Sequence, residues 1–149
     1  MGMKGWAGGS VRIEQRIDVP AEKVAAYIGD FRNAKEWMIG LESVKKLGDD
    51  TYRLALESPV GRIEPEARIV EHSPHSIGWV YISAIDGGGR VDVAPERDGC
   101  VVTYTGEFSL KRKLLDRAAR LAGIERFVRK NGERSLLRLK HLMEARRLR

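Results

Sequence analysis

The sequence contains few of the residues that build disulfides and metal centres. Cys100 is the only cysteine among 149 residues, and the chain has three histidines. A single cysteine excludes a disulfide within the chain, and without a second thiol it makes a poor metal ligand. His72 and His75 flank a proline that predicts a turn, and His141 falls on the polar side of a predicted helix. We therefore expect no metal site and no cofactor.

Long hydrophobic runs are also missing. No stretch of about 18 apolar residues occurs, so we expect no segment that spans a bilayer. Residues 1–10 are rich in glycine and contain no apolar segment of the kind that secretory signals carry. We expect this stretch to be flexible and the protein to be cytoplasmic. A hydrophobic fraction of 42% with 32% charged residues is typical of a globular protein, and the length predicts one domain over residues 1–149.

The sequence motifs of common hydrolases are absent. No serine stands in a nucleophile-elbow context, and no Ser/His/Asp set is indicated. Glu64, Glu66 and Glu71 follow one another along a predicted strand, where we expect them to face solvent and to form no acid–base pair. We therefore predict no catalytic residue.

Two glycine clusters lack the features of a phosphate-binding loop. Neither Gly8-Gly9 nor Gly87-Gly88-Gly89 has the lysine and the following helix that such loops require. We predict that both clusters are loops. The second, with almost no side-chain packing, is expected to form a mobile rim beside a pocket.

Positive charge is concentrated at the end of the chain. Residues 111–149 hold fourteen Lys and Arg against four Asp and Glu, a net charge of +10, which leaves thirteen against seventeen, or −4, for residues 1–110. A basic segment of this kind either binds an anionic partner or is a solvated surface that keeps the protein soluble.

Alternation of apolar and polar residues predicts a series of antiparallel strands. Two short helices interrupt the series after the first strand, with Pro20 in the first turn of one and Trp37 turned inward by the other. Pro65 predicts an edge or a bulge in the fourth strand. The predicted strands cover residues 11–19, 41–47, 52–56, 62–72, 77–81, 91–93 and 100–110.

The C-terminal segment predicts a long amphipathic helix over residues 124–146. Its apolar residues recur every three or four positions and share one face: Ile124, Val128, Leu136, Leu139, Leu142 and Met143. Gly123 is expected to break or kink the chain after an earlier helical piece at 114–122. Gly132 and Leu137 fit the helix poorly. The strands and this helix together predict an α+β fold in which a curved sheet of six or seven strands wraps around the helix.

Three stretches resemble the START-like helix-grip superfamily. They are residues 17–24 together with Ile28, Asp30 and Trp37, residues 71–79, and residues 136–144. This superfamily includes polyketide cyclase-like proteins, a coenzyme Q-binding branch and a branch associated with carbon monoxide dehydrogenase. The resemblance implies the helix-grip fold, with two short helices after strand 1 and a ligand cavity between the sheet and the last helix.

If the resemblance holds, the inward-facing residues line this cavity. The expected lining comprises Gln15, Tyr52, Leu54, Leu56, Ala67, Ile69, Trp79, Tyr81, Val93, Val102, Tyr104, Val128, Leu136 and Leu139. Most of these residues are apolar, and the glutamine and the tyrosines could orient a ligand. We expect a cavity above about 300 Å³. The alternative is that the same residues form a filled core.

Three hypotheses for function follow. The first is a binding protein that encloses a hydrophobic or amphipathic molecule, such as a lipid, a quinone or a polyketide-like compound. The second is a cyclase, dehydratase or isomerase in which Tyr81 or Tyr104 donates to a developing enolate. The third is an interaction module that binds an anionic membrane or a partner protein, with nucleic acid ranked behind these. Its expected contact residues are Arg129, Lys130, Arg134 and Lys140.

Overall fold

The computed structural model describes residues 7–59, 61–110 and 117–147. Eight strands, two short helices and one long helix follow one another along the chain. Their bounds are β1 Ala7–Ile17, α1 Ala21–Gly29, α2 Ala34–Trp37, β2 Leu41–Lys46, β3 Thr51–Ser58, β4 Gly61–Ile63, β5 Glu66–Ser73, β6 Ser76–Tyr81, β7 Asp86–Glu96, β8 Gly99–Leu110 and α3 Arg117–Arg147, with a single 3-10 turn at Phe31–Asn33 between α1 and α2.

All described strands belong to one antiparallel sheet. Their order across the sheet is β1-β8-β7-β6-β5-β3-β2, and the three-residue β4 forms a hairpin with β3. The sheet curls into a half-barrel around α3, so the α+β helix-grip fold expected from the sequence is confirmed, including the two short helices after the first strand. The strand predicted over residues 62–72 is divided into β4 and β5 because Pro65 between them has no N–H for a sheet hydrogen bond.

The core lies between the concave face of the sheet and the helices. Ile17, Leu136 and Leu139 are fully buried in it. The Phe31 ring packs at tilted angles against Tyr52 and Trp79, with ring centroids 5.1 and 5.5 Å away. No helix among the described residues is long and apolar enough to cross a membrane.

Helix α3 continues through Gly123, so the predicted break at this position is wrong. One glycine in a helix costs about 1 kcal/mol relative to alanine, and burial of Leu136, Leu139 and Met143 on the sheet outweighs this cost. A Cβ atom added to Gly123 would meet nothing within 4 Å. Residues 114–116 of the predicted earlier helical piece lie outside the described residues.

Gly132 fits α3 well, contrary to the expectation from its propensity, because the helix lies close to Ile13 of β1 and Tyr104 of β8 there. A Cβ atom at this position would lie 2.6 Å from Cδ1 of Ile13 and 3.2 Å from the Tyr104 ring. Leu137 belongs to the helix as well, but 45% of it is exposed, since it faces away from the sheet.

The two helical glycines give opposite predictions for substitution by alanine. Gly123→Ala should raise the free energy of unfolding by about 0.5–1 kcal/mol, because alanine loses less backbone freedom in a helix. Gly132→Ala should lower it by about 1 kcal/mol, because overpacking against Ile13 and Tyr104 costs about 1–3 kcal/mol and exceeds the helix gain. Urea unfolding of both variants measures the difference. Equal stabilisation by both would contradict the close approach of α3 to β1.

Both glycine clusters lie in strands, so the prediction of loops is wrong. Gly87-Gly88-Gly89 pairs with β8 on one side, and the latter two residues also pair with β6. A Cβ atom on Gly89 would overlap the Trp79 indole, so glycine is needed to let this ring lie flat on the strand.

The glycines at the start of β1 have a similar role. Gly8 and Gly9 pair with Ser109 and Phe108, and a Cβ atom on Gly9 would lie 3.1 Å from the Phe108 ring. The expectation of a flexible stretch over residues 1–10 is therefore wrong for residues 7–10, which are held in the sheet. Residues 1–6 lie outside the described residues.

Candidate functional site

A cavity of about 140 Å³ lies where the segment between α2 and β2 meets the sheet and α3. Five aromatic side chains occupy its walls and leave less room than the 300 Å³ predicted, so the predicted volume is wrong. An apolar cavity of this size holds one benzene-sized ring. The lining residues are Trp37, Met38, Ile39, Gly40, Leu41, Leu56, Glu57, Trp79, Tyr81, Tyr104, Phe127, Val128, Asn131, Gly132, Ser135 and Leu136.

The residues expected to line a cavity fall into two groups. Leu56, Trp79, Tyr81, Tyr104, Val128 and Leu136 line the cavity, whereas Gln15, Tyr52, Leu54, Ala67, Ile69, Val93, Val102 and Leu139 lie elsewhere. Ala67, Val102 and Leu139 are fully buried in the packed core. Gln15 is half-buried, and its side-chain Nε2 donates to the Arg16 carbonyl at 3.0 Å. Period-two alternation indicates which face of a strand a residue is on, but not how far along the half-barrel it lies.

Ten cavity residues were not expected from the sequence, and most belong to two segments. One is the connection around Gly40, together with Trp37 before it, and the other is residues 127–135 of α3. Among them, Trp37 carried a signal, because the second short helix was predicted to turn it inward. The ten are Trp37, Met38, Ile39, Gly40, Leu41, Glu57, Phe127, Asn131, Gly132 and Ser135.

One buried serine fixes the rim of the cavity to α3. The Ile39 N–H donates to Ser135 Oγ at 2.8 Å, and the Ser135 hydroxyl donates to the Asn131 carbonyl at 2.6 Å. Gly40 follows with φ of +92°, a left-handed conformation that favours glycine. A Cβ atom there would also lie 3.0 Å from Asn131 Nδ2. The rim is therefore set by contacts between segments about 96 residues apart.

Two tyrosines supply phenol groups to the cavity wall. Burial raises the pKa of Tyr104 above its ordinary value of 10.0, and the neighbouring Tyr81 adds to this. Burial also raises the pKa of Tyr81, against a smaller lowering by the nearby Trp79 indole. Both phenols therefore stay protonated at neutral pH.

Two of the residues that line the cavity, Trp37 and Trp79, carry indole N–H groups. Nε1 of Trp37 and Nε1 of Trp79 are buried and have no hydrogen-bond partner among the described residues. The Trp79 indole lies close enough to the Tyr81 hydroxyl to lower its pKa, but the two groups do not form a hydrogen bond. A buried donor without a partner costs about 1–3 kcal/mol, which an acceptor on a bound molecule would offset. Among the described residues, the lining contains one carboxylate, the exposed Glu57, and no Lys, Arg or His.

The raised phenol pKa values predict a loss of stability at alkaline pH. A tyrosine whose pKa is higher in the folded state than its ordinary 10.0 contributes stability that is present below pH 10 and is lost as the pH rises through the folded value. We expect the free energy of unfolding to fall between pH 9 and pH 11, and to fall less in Tyr81→Phe/Tyr104→Phe. Urea titrations at both pH values measure this. Some decline should persist, because Tyr27 and Tyr52 also have raised pKa values. Identical declines in both proteins would contradict the burial of the two phenols.

A second groove of about 350 Å³ lies near the turn between β2 and β3. Tyr52 and Ile69 line it, together with His72 and several charged residues of both signs. Asp30 and Arg32 in its wall already form an ion pair at 2.9 Å. Although this groove is larger than the cavity, we do not consider it the candidate site, because its wall is polar and its charges are partly neutralised. Among the described residues, no group of three or more His, Cys, Asp or Glu is placed to hold a metal.

The basic residues predicted to bind a surface differ in exposure and in ion pairing. Lys130 and Arg134 are exposed, and Arg129 is exposed but pairs with Glu125 at 3.5 Å. Lys140 is 26% exposed and pairs with Glu144 at 2.6 Å, and its role in a basic binding surface stays a prediction. Glu144 also accepts from the Asp18 N–H at 2.9 Å, which holds the pair against the end of β1.

A curled antiparallel sheet that grips a long C-terminal helix, with a small cavity between them, defines a helix-grip protein. The family model described as polyketide cyclase / dehydrase and lipid transport matches residues 9–144. The chain belongs to this family, which confirms the resemblance found in the sequence. The choice among the coenzyme Q-binding branch, the branch associated with carbon monoxide dehydrogenase and the others stays a prediction.

Solved structures of similar fold come from several bacteria. An aromatase/cyclase from a Streptomyces species has a TM-score of 0.83 at 16% identity, over 95% of this chain and 96% of that one. A START superfamily protein from Mycobacterium smegmatis has a TM-score of 0.71 at 14% identity, over 91% and 97%. A protein from Deinococcus radiodurans has a TM-score of 0.60 at 24% identity, over 81% and 97%. These identities support the fold alone. A comparison with curated protein sequences finds no match.

Proposed function

We propose that the protein binds a hydrophobic or amphipathic small molecule. A ring-sized apolar part of this ligand, which carries a neutral hydrogen-bond acceptor, occupies the cavity. The observation that supports this most is the composition of the cavity wall. The wall includes two tyrosines with protonated phenols and two tryptophans whose buried indole N–H groups have no partner among the described residues, set among apolar side chains. A carbonyl oxygen fits such donors, as a ketone, a quinone or a polyketide-like ligand would supply.

The same wall disfavours an anionic ligand. A carboxylate moved from water into an apolar site must be paired with a cation or lose much of its affinity. No Lys, Arg or His belongs to the described lining, and Glu57 at the rim would repel a negative charge. A purely apolar ligand would fill the volume but leave the indole N–H groups unpaired.

Three ligands of one ring size test this proposal by isothermal titration calorimetry. We expect acetophenone to bind more tightly than ethylbenzene, by about tenfold for one donor satisfied at 1–3 kcal/mol. Benzoate should bind most weakly. Tyr81→Phe/Tyr104→Phe should reduce the preference for acetophenone over ethylbenzene while preserving the binding of ethylbenzene. Benzoate binding more tightly than acetophenone would overturn the proposal.

A second candidate function is the isomerase or cyclase chemistry of the same cavity. It is favoured by the two phenols, which could stabilise an enolate, and by Glu57, the one carboxylate in the described lining. Incubation of the protein with acetophenone in D₂O discriminates the two functions, because enolisation exchanges the methyl protons. A binding protein leaves the exchange rate unchanged. Acceleration that Glu57→Gln abolishes would establish the enzyme instead.

A further inference from the structure

A shallow groove of about 430 Å³ runs along the outer face of α3. It is lined by Ile39, Arg134, Leu137, Arg138, His141, Leu142 and Ala145, which we term the Leu137 face. Leu137 is 45% exposed. A single exposed leucine is ordinary in proteins. This one differs because it lies in a groove with other apolar side chains and has cationic residues on both sides.

The arginines of the Leu137 face form no ion pair with the described residues. Arg129, Lys140 and Arg146 on the same helix pair with Glu125, Glu144 and Glu36, respectively. In contrast, no carboxylate among the described residues lies within ion-pair distance of Arg134 or Arg138. Glu133 is exposed on the helix but does not line the groove. The Leu137 face therefore presents positive charge to an external partner.

The Leu137 face adjoins the cavity. Ile39 lines both the groove and the cavity, and its N–H is the donor to Ser135 that fixes the rim. A partner bound to this face would therefore touch the residue that borders the ligand site.

We propose that the Leu137 face docks on the surface of an anionic lipid bilayer. An apolar centre with long cationic side chains beside it suits the boundary between acyl chains and headgroups, where Leu137 and Ile39 would bury apolar surface and the arginines would contact phosphates. Nucleic acid fits less well, because phosphate contacts need the cations but leave the leucine exposed. A second copy fits less well too, because a two-fold interface would bring the same arginines together.

Sedimentation with vesicles tests this docking at low ionic strength. The probes are vesicles of phosphatidylcholine alone and vesicles of phosphatidylcholine and phosphatidylglycerol in equal parts. We expect wild-type protein to be retained only by the second kind. Arg134→Glu/Arg138→Glu should weaken retention by about thirtyfold or more, at about 1 kcal/mol for each cation removed near the surface. Leu137→Ser should weaken it several-fold.

A matched control lies on the exposed surface of β5, away from the Leu137 face. Arg68 and Val70 are an exposed cation and an exposed apolar residue on β5, outside the cavity and both grooves, and Val70 is 58% exposed. Arg68→Glu/Val70→Ser makes a change of similar chemistry and should leave retention within twofold of wild type. Acetophenone affinity without vesicles serves as the readout for the cavity and should be unchanged in all these variants.

Three outcomes would overturn the proposal. One is absence of wild-type retention on anionic vesicles, and another is equal loss in the control and in Arg134→Glu/Arg138→Glu. The third is that the wild-type protein is not retained by vesicles but binds duplex DNA, or self-associates on gel filtration, and that the Leu137-face variants abolish this behaviour. Loss of acetophenone binding with vesicle retention intact would instead count against the proposed function and leave the docking standing.

Discussion

Replacing Leu139 by alanine is expected to lower the free energy of unfolding by about 2–5 kcal/mol. Leu139 has no exposed surface and does not line the cavity, so it belongs to a filled part of the core between α3 and the sheet. Truncation there removes apolar burial and leaves a new cavity, and both effects destabilise the folded state. Urea unfolding monitored by circular dichroism measures the change.

Leu137→Ala is the matched control for this prediction. It removes the same atoms from the same helix, two residues away, but from a side chain that is 45% exposed. The expected change is within about 0.5 kcal/mol, as is usual for surface positions. Similar losses in the two variants would contradict the placement of the apolar face of α3 on the sheet.

Replacing Val128 by tryptophan is expected to weaken acetophenone binding by about tenfold or more, a loss of at least about 1.4 kcal/mol, because the added indole takes up the space that the ligand ring would occupy. Val128 lines the cavity from α3, and a volume of about 140 Å³ cannot hold both an added indole and a ligand ring. Calorimetric titration measures the loss, and circular dichroism verifies that the fold is retained.

Val70→Trp serves as the control for the added indole. This valine is 58% exposed on β5, so the same substitution adds a ring outside the cavity and should leave affinity unchanged. Unaltered affinity in Val128→Trp, with the fold intact, would mean that the ligand occupies another site.

The fold could be predicted well because its signals are local. Strict alternation identified the buried face of β1, and spacing of three and four identified Leu136, Leu139 and Met143 as the buried face of α3. The errors arose where a distant residue overrides a local preference. Gly89 favours a turn by composition, yet it is in a strand because the Trp79 ring lies on it. Gly123 remains helical because the helix is fixed by packing further along.

The candidate site was harder to predict because its walls come from segments far apart in sequence. Tyr52 and Tyr81 both follow an alternating pattern, but only Tyr81 lines the cavity, while Tyr52 lines the polar groove. The rim depends on the hydrogen bond between Ile39 and Ser135, which no local pattern reveals. The volume depends on how five aromatic rings pack, and composition does not encode this.

The most direct test of ligand binding in the cavity is to observe the indole N–H groups of Trp37 and Trp79 by nuclear magnetic resonance. Peaks of Trp37 and Trp79 can be assigned from Trp→Phe variants in ¹⁵N-labelled protein, and both N–H groups are buried without a partner among the described residues. We expect a titration with acetophenone to shift at least one of the two peaks downfield, as an N–H peak does when the group gains an acceptor, and we expect ethylbenzene at equal occupancy to shift neither. Acetophenone binding that leaves both indole peaks in place would contradict the cavity as the ligand site.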